Sequence, residues 1–186
     1  MQEKLFNIKP IRVARPTSHN IDISSVYINM AKILNEWSCE EMNVEEFENF
    51  VEELQEVFSS SDLFNSDGYE IARDLEKEMG VQSDSELVDD MNSISYNCHS
   101  CLRENVENWV KDCEITPKYS IGDEVSVWVK NVNYIGEISK IYERTAEYSI
   151  FIEELGHVRE GVGTTGTIKK FEEIEKDFFD EKHWKL

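Results

Sequence analysis

From about residue 22 to residue 113, apolar side chains recur at every third or fourth position; after Thr116-Pro117 they recur at every second. The first period lays a stripe along a helix and the second a face along a strand, so the chain is expected to be α+β with its helices first. Ile23, Val26, Tyr27, Met30, Leu34 and Trp37 define one helix, with Asp22 or Ser24 as its cap. A second is predicted to begin after Asn43, to turn Phe47, Phe50, Val51, Leu54, Val57 and Phe58 inward, and to stop at Ser59-Ser60-Ser61. A third runs from 68 to about 79, with Ile71, Ala72, Leu75 and Met79 inward and Gly80 as C-cap. Ser83-Asp84-Ser85-Glu86 has the form of a capping box and opens a fourth, with Leu87, Val88, Met91 and Ile94 inside. A fifth spans about 97 to 112 and buries Leu102, Val106, Trp109 and Val110. Five short amphipathic helices with brief connections predict a helical bundle.

Beyond Pro117, Val125, Val127 and Val129 alternate with Ser126, Trp128 and Lys130. Two further alternating runs cover 134 to 141 and 147 to 153, with turns at 131 to 133 and 144 to 146. A turn at 161 to 166, a strand at 167 to 169 and a closing helix at 170 to 180 complete the prediction. Strands this short and closely spaced predict a small barrel or sheet. Residues 1 to 20 differ again: Lys4, Lys9, Arg12 and Arg15 stand against Glu3 alone, and 8 to 13 reads as an extended stretch. That arm either pairs as a strand with the body or folds back as a basic tail. The expected organisation is a basic arm (1–20), an acidic helical domain (21–115) and a small β-barrel with a C-terminal helix (116–186).

The run Ile121-Gly122-Asp123-Glu124-Val125, then Tyr134-Ile135-Gly136-Glu137-Ile138, then Tyr148-Ser149-Ile150-Phe151, resembles the SH3-like small barrels of the Tudor and KOW type. In that pattern a Gly-Asp pair opens the first strand, a Gly precedes an alternating strand, and an aromatic strand follows. Tudor-type members hold methylated Lys or Arg in an aromatic cage, and the resemblance implies Trp128, Tyr134 and Phe151 as the matching positions. KOW-type members often bind RNA or polymerase. The 14 acidic and 10 basic residues of 116 to 186 oppose RNA binding. The helical region resembles no family.

Charge changes the picture most. Residues 36 to 114 hold 23 Asp and Glu against 4 Lys and Arg, a net −19 in a chain of −20. So one-sided a field repels nucleic acid and acidic membrane surfaces and attracts basic protein surfaces. A charge run is ordinarily a solvated helix face. Here i,i+4 Glu–Lys pairs are too few to account for it, and self-repulsion opposes folding. The expected contact residues are Glu45, Glu48, Glu52, Glu53 and Glu56, followed by Asp74, Glu78, Asp89 and Asp90. They predict a non-enzymatic acidic binding protein whose partner is a basic, nucleic-acid-binding protein. In its strongest form this is DNA mimicry, the tactic of small phage inhibitors of restriction or CRISPR nucleases. The alternative is an adaptor that reads a peptide or modified side chain through the barrel aromatics.

Chemical motifs are few. Cys98-His99-Ser100-Cys101 supplies two zinc ligands where a structural site needs four. On one helix Cys98 and Cys113 would stand about 22 Å apart. Cys98, Leu102, Val106, Trp109 and Cys113 share a stripe, so core thiols are expected. A zinc-dependent regulator would require the helix to begin after Cys101, with Cys39 or a histidine joining. Asn65-Ser66-Asp67-Gly68 lacks the first and last ligands of a calcium loop. Gly161-Val162-Gly163-Thr164-Thr165-Gly166 matches a dinucleotide fingerprint by letter, but only 20 residues follow it, too few for a βαβ unit. The four histidines are scattered and no catalytic triad or paired carboxylate stands out, so neither enzyme activity nor a cofactor is expected. The N-terminus lacks a signal-peptide core, and no apolar run approaches a membrane span, which predicts a cytoplasmic protein with reduced thiols.

Overall fold

The computed structural model describes residues 13–38, 42–157, 159–160, 163–164 and 166–174. Apart from Val13, the extended stretch expected at 8 to 13 lies outside them, as do Cys39, His183 and residues 175 to 186. The chain divides into two compact units, Met1–Val106 and Glu107–Leu186. The division falls inside a helix, ahead of the boundary expected near 115.

The first unit is helical: α1 (Ser24–Ser38), α2 (Val44–Val57), α3 (Ser60–Asn65), α4 (Gly68–Met79) and α5 (Ser85–Asp112), whose last turns belong to the second unit. Short polar side chains decide where each helix starts. The Asp22 carboxylate accepts from the Ser24 N–H at 2.8 Å and from its Oγ at 2.6 Å, so Asp22 caps α1. Asn43 and Glu46 form a reciprocal capping box on α2, and Asp67 and Glu70 form one on α4. Gly80 closes α4 in the left-handed conformation at φ 69°.

Three expectations are corrected. The serine run does not merely stop α2: Ser59 makes a capping box with Asp62 and starts α3. The fourth helix is capped by Asp84, which accepts from Glu86 N–H at 2.9 Å and Leu87 N–H at 3.0 Å; Ser83-Glu86 is not the box. The fourth and fifth helices are one element of 28 residues. Nothing in 92 to 97 breaks a helix outright, and the stripe Leu87, Met91, Ile94, Cys98 continues across it, fully buried. Packing of an apolar face carries a helix through residues of poor propensity.

These residues share one core with Met30, Ala31, Leu54, Leu63, Ile71, Ala72 and Leu75, all fully buried. α5 is its hub. The Trp37 indole binds Asp90, the Ser95 hydroxyl donates to the Ser66 carbonyl at 3.1 Å, and Phe64 meets His99 edge-on at 5.4 Å. Gly68 sits so close to α5 that an added Cβ would lie 2.4 Å from the Val88 carbonyl oxygen and the Asn92 nitrogen. Among the described residues no helix is long and apolar enough to cross a membrane.

The second unit is built on a curled antiparallel sheet, a half-barrel, in the order β1 (Glu124–Val129), β2 (Val132–Tyr142), β3 (Glu147–Phe151) and β6 (Thr167–Lys170). A separate hairpin pairs β4 (Arg159–Glu160) with β5 (Gly163–Thr164), so part of the glycine-rich stretch is strand. β1 and β2 join through Lys130 and Asn131, both at positive φ (49° and 64°), the backbone of a type I′ turn. Asp123 accepts from the Ser120 N–H at 2.8 Å and fixes the turn into β1. Gly136 lets β3 approach: an added Cβ would lie 2.5 Å from Ile150 Cγ2 and 2.8 Å from the Phe151 carbonyl oxygen.

Val125, Val127, Ile138, Tyr148, Ile150 and Ile152 fill this core together with Trp109 and Tyr119. The Tyr148 hydroxyl accepts from the Tyr119 N–H at 3.1 Å, and its ring lies 4.3 Å from that of Phe171. A helix does not begin at 170. β6 runs through Lys170, a single 3-10 turn covers Phe171–Glu173, and Ile174 is extended. Phe171 and Ile174 are both drawn into the core, a spacing the 3-10 turn supplies. Residues 175 to 180 of the expected helix lie outside the described residues.

Candidate functional site

α2 carries Glu45, Glu46, Glu48, Glu52, Glu53 and Glu56 and no Lys or Arg. All six are exposed. Glu46 is engaged in the cap, where its Oε2 accepts from the Asn43 N–H at 2.9 Å. Glu45, Glu48, Glu52 and Glu56 follow i, i+3, i+7, i+11 spacing, so one helix side holds four carboxylates. Glu45 lies in the first turn, where the helix dipole favours it; Glu56 lies in the last turn of α2, where the dipole opposes it and which holds no basic residue. Retaining Glu56 lowers helix stability and enlarges the field.

The other expected contact residues are not equivalent to these. Asp74 pairs with Arg73 at 3.3 Å and Glu78 with Lys77, so part of their charge is answered locally. Asp89 is exposed, whereas its neighbour Asp90 is half-buried and accepts from Trp37 Nε1 at 3.0 Å. Asp90 ties α5 to α1 through this bond.

Beside the α2 carboxylates lies a groove of about 660 Å³, lined by Ser24 and Ile28 of α1, by Met42 and Asn43, and by Val44, Phe47, Glu48, Val51, Glu52 and Gln55 of α2. Its apolar members are unusually open: Val44 is 76% exposed and Ile28 39%. The helical stripe does not reveal it, because Phe47 and Val51 read as ordinary core positions. The available signal was Val44, an apolar residue in the first turn that no capping rule calls for.

The barrel aromatics do not converge. Tyr134 pairs with the buried Val127 and so shares its core-facing side. Trp128, opposite Asn133, is on the outer side and 58% exposed; Phe151, opposite Glu137, is also outer but lies on the far side of β2 and is offset along it by four residues, about 13 Å. Phe151 instead neighbours the His157 ring at 6.2 Å. The cage implied by the Tudor resemblance is therefore not assembled.

The cysteines are separated in the same way. Cys98 is fully buried among the α1–α5 core residues, and burial, with Cys101 nearby, pushes its thiol up to about 11. Cys101 donates through its Sγ to the Asp22 carbonyl at 3.6 Å, and its pKa is raised by burial, then by Glu104 and Asp22. Cys113 packs against the core of the sheet unit. Because α5 begins at Ser85 and not after Cys101, the helix start that a zinc site required is absent. Among the described residues no group of three or more His, Cys, Asp or Glu stands close enough to hold a metal.

Compared with protein-family models, with curated proteins and with solved structures, the chain matches none.

Proposed function

We propose that this is a non-enzymatic acidic binding protein that engages a basic surface of a nucleic-acid-binding protein, with the exposed side of α2 as the contact. One observation carries the reading: six exposed glutamates on a helix without a single Lys or Arg. Such a surface accelerates encounter with a positive partner and suppresses binding to DNA or RNA, which requires neutralisation of phosphates. In its finer form the carboxylates stand in for DNA phosphates, as in phage inhibitors of restriction or CRISPR nucleases. The reading places the protein in the cytoplasm, in keeping with the free thiols of Cys98, Cys101 and Cys113. The half-barrel, read as an SH3-like module, then serves as a second unit with no contact of its own.

The second reading makes the sheet unit the contact, as an adaptor for a peptide. It is favoured by the outer sheet face, where Trp128 and Ile135 are 58% and 44% exposed and lie diagonally across β1 and β2.

The deciding experiment is capture of partners from cell extract at low and high salt, read by mass spectrometry. The wild type is compared with the Glu45→Gln, Glu48→Gln, Glu52→Gln, Glu56→Gln variant and with Trp128→Ala. A basic DNA- or RNA-binding protein should be retained at low salt, be released by high salt or duplex DNA, and be lost from the Gln variant. Purified protein should give no gel shift with duplex DNA below about 10 μM. A complex that survives in the Gln variant and disappears in a folded Trp128→Ala protein would establish the adaptor reading instead.

A further inference from the structure

We propose that the groove between α1 and α2 receives an amphipathic helix of the partner protein, with apolar residues on one side and Lys or Arg on its flanks. This rests on the acidic-surface reading and adds the shape of what binds there. Val44, Phe47, Val51 and Gln55 of the groove wall follow i, i+3, i+7, i+11 spacing, a ridge about 16 Å long at 1.5 Å per residue. Three turns of ridge beside the open side chain of Ile28 form the kind of surface into which a third helix packs, ridge into groove. The rim decides which helix. Glu48 and Glu52 line the groove itself, and Glu45 and Glu56 continue the same carboxylate row on either side. Among the described residues no Lys or Arg lies on α2 or lines the groove. An uncharged helix would bury those carboxylates without a counter-ion, and an acidic one would meet repulsion; a basic amphipathic helix satisfies both the floor and the rim.

The probe is a synthetic peptide of about 16 residues, with Leu at i, i+3, i+4 and i+7 repeats and Lys elsewhere, against a scramble of identical composition. Binding is read by fluorescence anisotropy on the full chain. The patterned peptide should bind at least ~10-fold more tightly than the scramble, because only it presents a continuous apolar ridge. Val44→Ser with Ile28→Gln should erase that difference while leaving the scramble unchanged. Both residues are exposed, and circular dichroism checks that the fold is kept. Glu48→Gln with Glu52→Gln should weaken both peptides by roughly 3- to 10-fold at low salt, less at high salt.

Equal affinity for the two peptides, with no response to Val44→Ser and Ile28→Gln, would overturn the groove and leave the acidic-surface reading standing. No response to the Gln pair either would remove both. A self-associating chain that Val44→Ser makes monomeric would assign the groove to a second copy and overturn the proposal. Binding that appears only after removal of residues 1 to 12 would overturn it too, by making this chain's own basic arm the occupant.

Discussion

The indole N–H of Trp37 donates a 3.0 Å hydrogen bond to a carboxylate oxygen of Asp90. The two residues lie on α1 and α5, and the bond is half-buried, so one negative charge of the acidic unit is spent holding two helices together. Its neighbour Asp89 is exposed. Adjacent residues of the same type thus do different work, because a helix turns about 100° between them.

Asp90→Ala should lower unfolding free energy by about 1–2 kcal/mol in a urea titration, since a hydrogen bond to a charged acceptor is lost from a half-buried site. Asp89→Ala should change it by less than about 0.5 kcal/mol. Equal effects of the two substitutions would remove the structural role assigned to Asp90.

Gly68→Ala should destabilise, although alanine ordinarily stabilises a helix over glycine by about 0.5–1 kcal/mol. The new methyl would press on the Val88 carbonyl and the Asn92 nitrogen, both backbone atoms of α5 that cannot swing away. A loss of about 1–3 kcal/mol is expected. Gly80→Ala meets no neighbour but keeps φ at 69°, and should lose about 1 kcal/mol through strain alone. Thermal melts of the two variants check the order; a more stable Gly68→Ala protein would refute the close approach.

Tyr148→Phe removes the acceptor that the Tyr119 N–H uses at 3.1 Å in the sheet core. The ring stack on Phe171 would survive, so about 1 kcal/mol should be lost with the sheet intact. Near-ultraviolet circular dichroism and a denaturant midpoint measure both; an unchanged midpoint would show that the hydroxyl adds nothing.

Stability should fall as pH rises beyond about 9. Burial pushes Cys98 from its ordinary 9.0 to about 11, and burial, then Cys98 and Asp62, push Tyr27 from 10.0 to about 12. The folded state therefore keeps both protons over a range in which the unfolded chain has released them. The unfolded state binds fewer protons there, so stability declines as pH rises from about 9 towards 12. Tyr27 also donates to the Phe58 carbonyl at 2.8 Å, a bond that ionisation destroys. Urea midpoints at pH 8, 9.5 and 11 test this; a midpoint that rises over that range contradicts the burial of both groups. Iodoacetamide at pH 8 should label Cys101 before Cys98, because the buried thiol is closed to the reagent and far from its thiolate range.

Elements whose cause is local were legible from the chain alone. Asn43 starts α2 because Glu46 sits three residues on, and Gly80 ends α4 because only glycine enters the left-handed region without strain. Val125 and Val127 reach the core because alternate strand residues share a face. The glutamates of α2 fall on its outer side by the same arithmetic, so half of the candidate site followed from spacing and charge.

What lies across space decided the rest. Whether the helix beginning at Ser85 continues past Asn97 depends on what Met91, Ile94 and Cys98 pack against. Asp90 becomes a tie only because Trp37 stands opposite it, and Trp128 and Tyr134 part because strand register puts one outside and the other on the core side. The groove of Val44, Phe47 and Val51 exists only because Ser24 and Ile28 of α1 line it as well. Period and capping are written within four residues of sequence, whereas burial is set by residues tens of positions away, which pattern alone does not bring together.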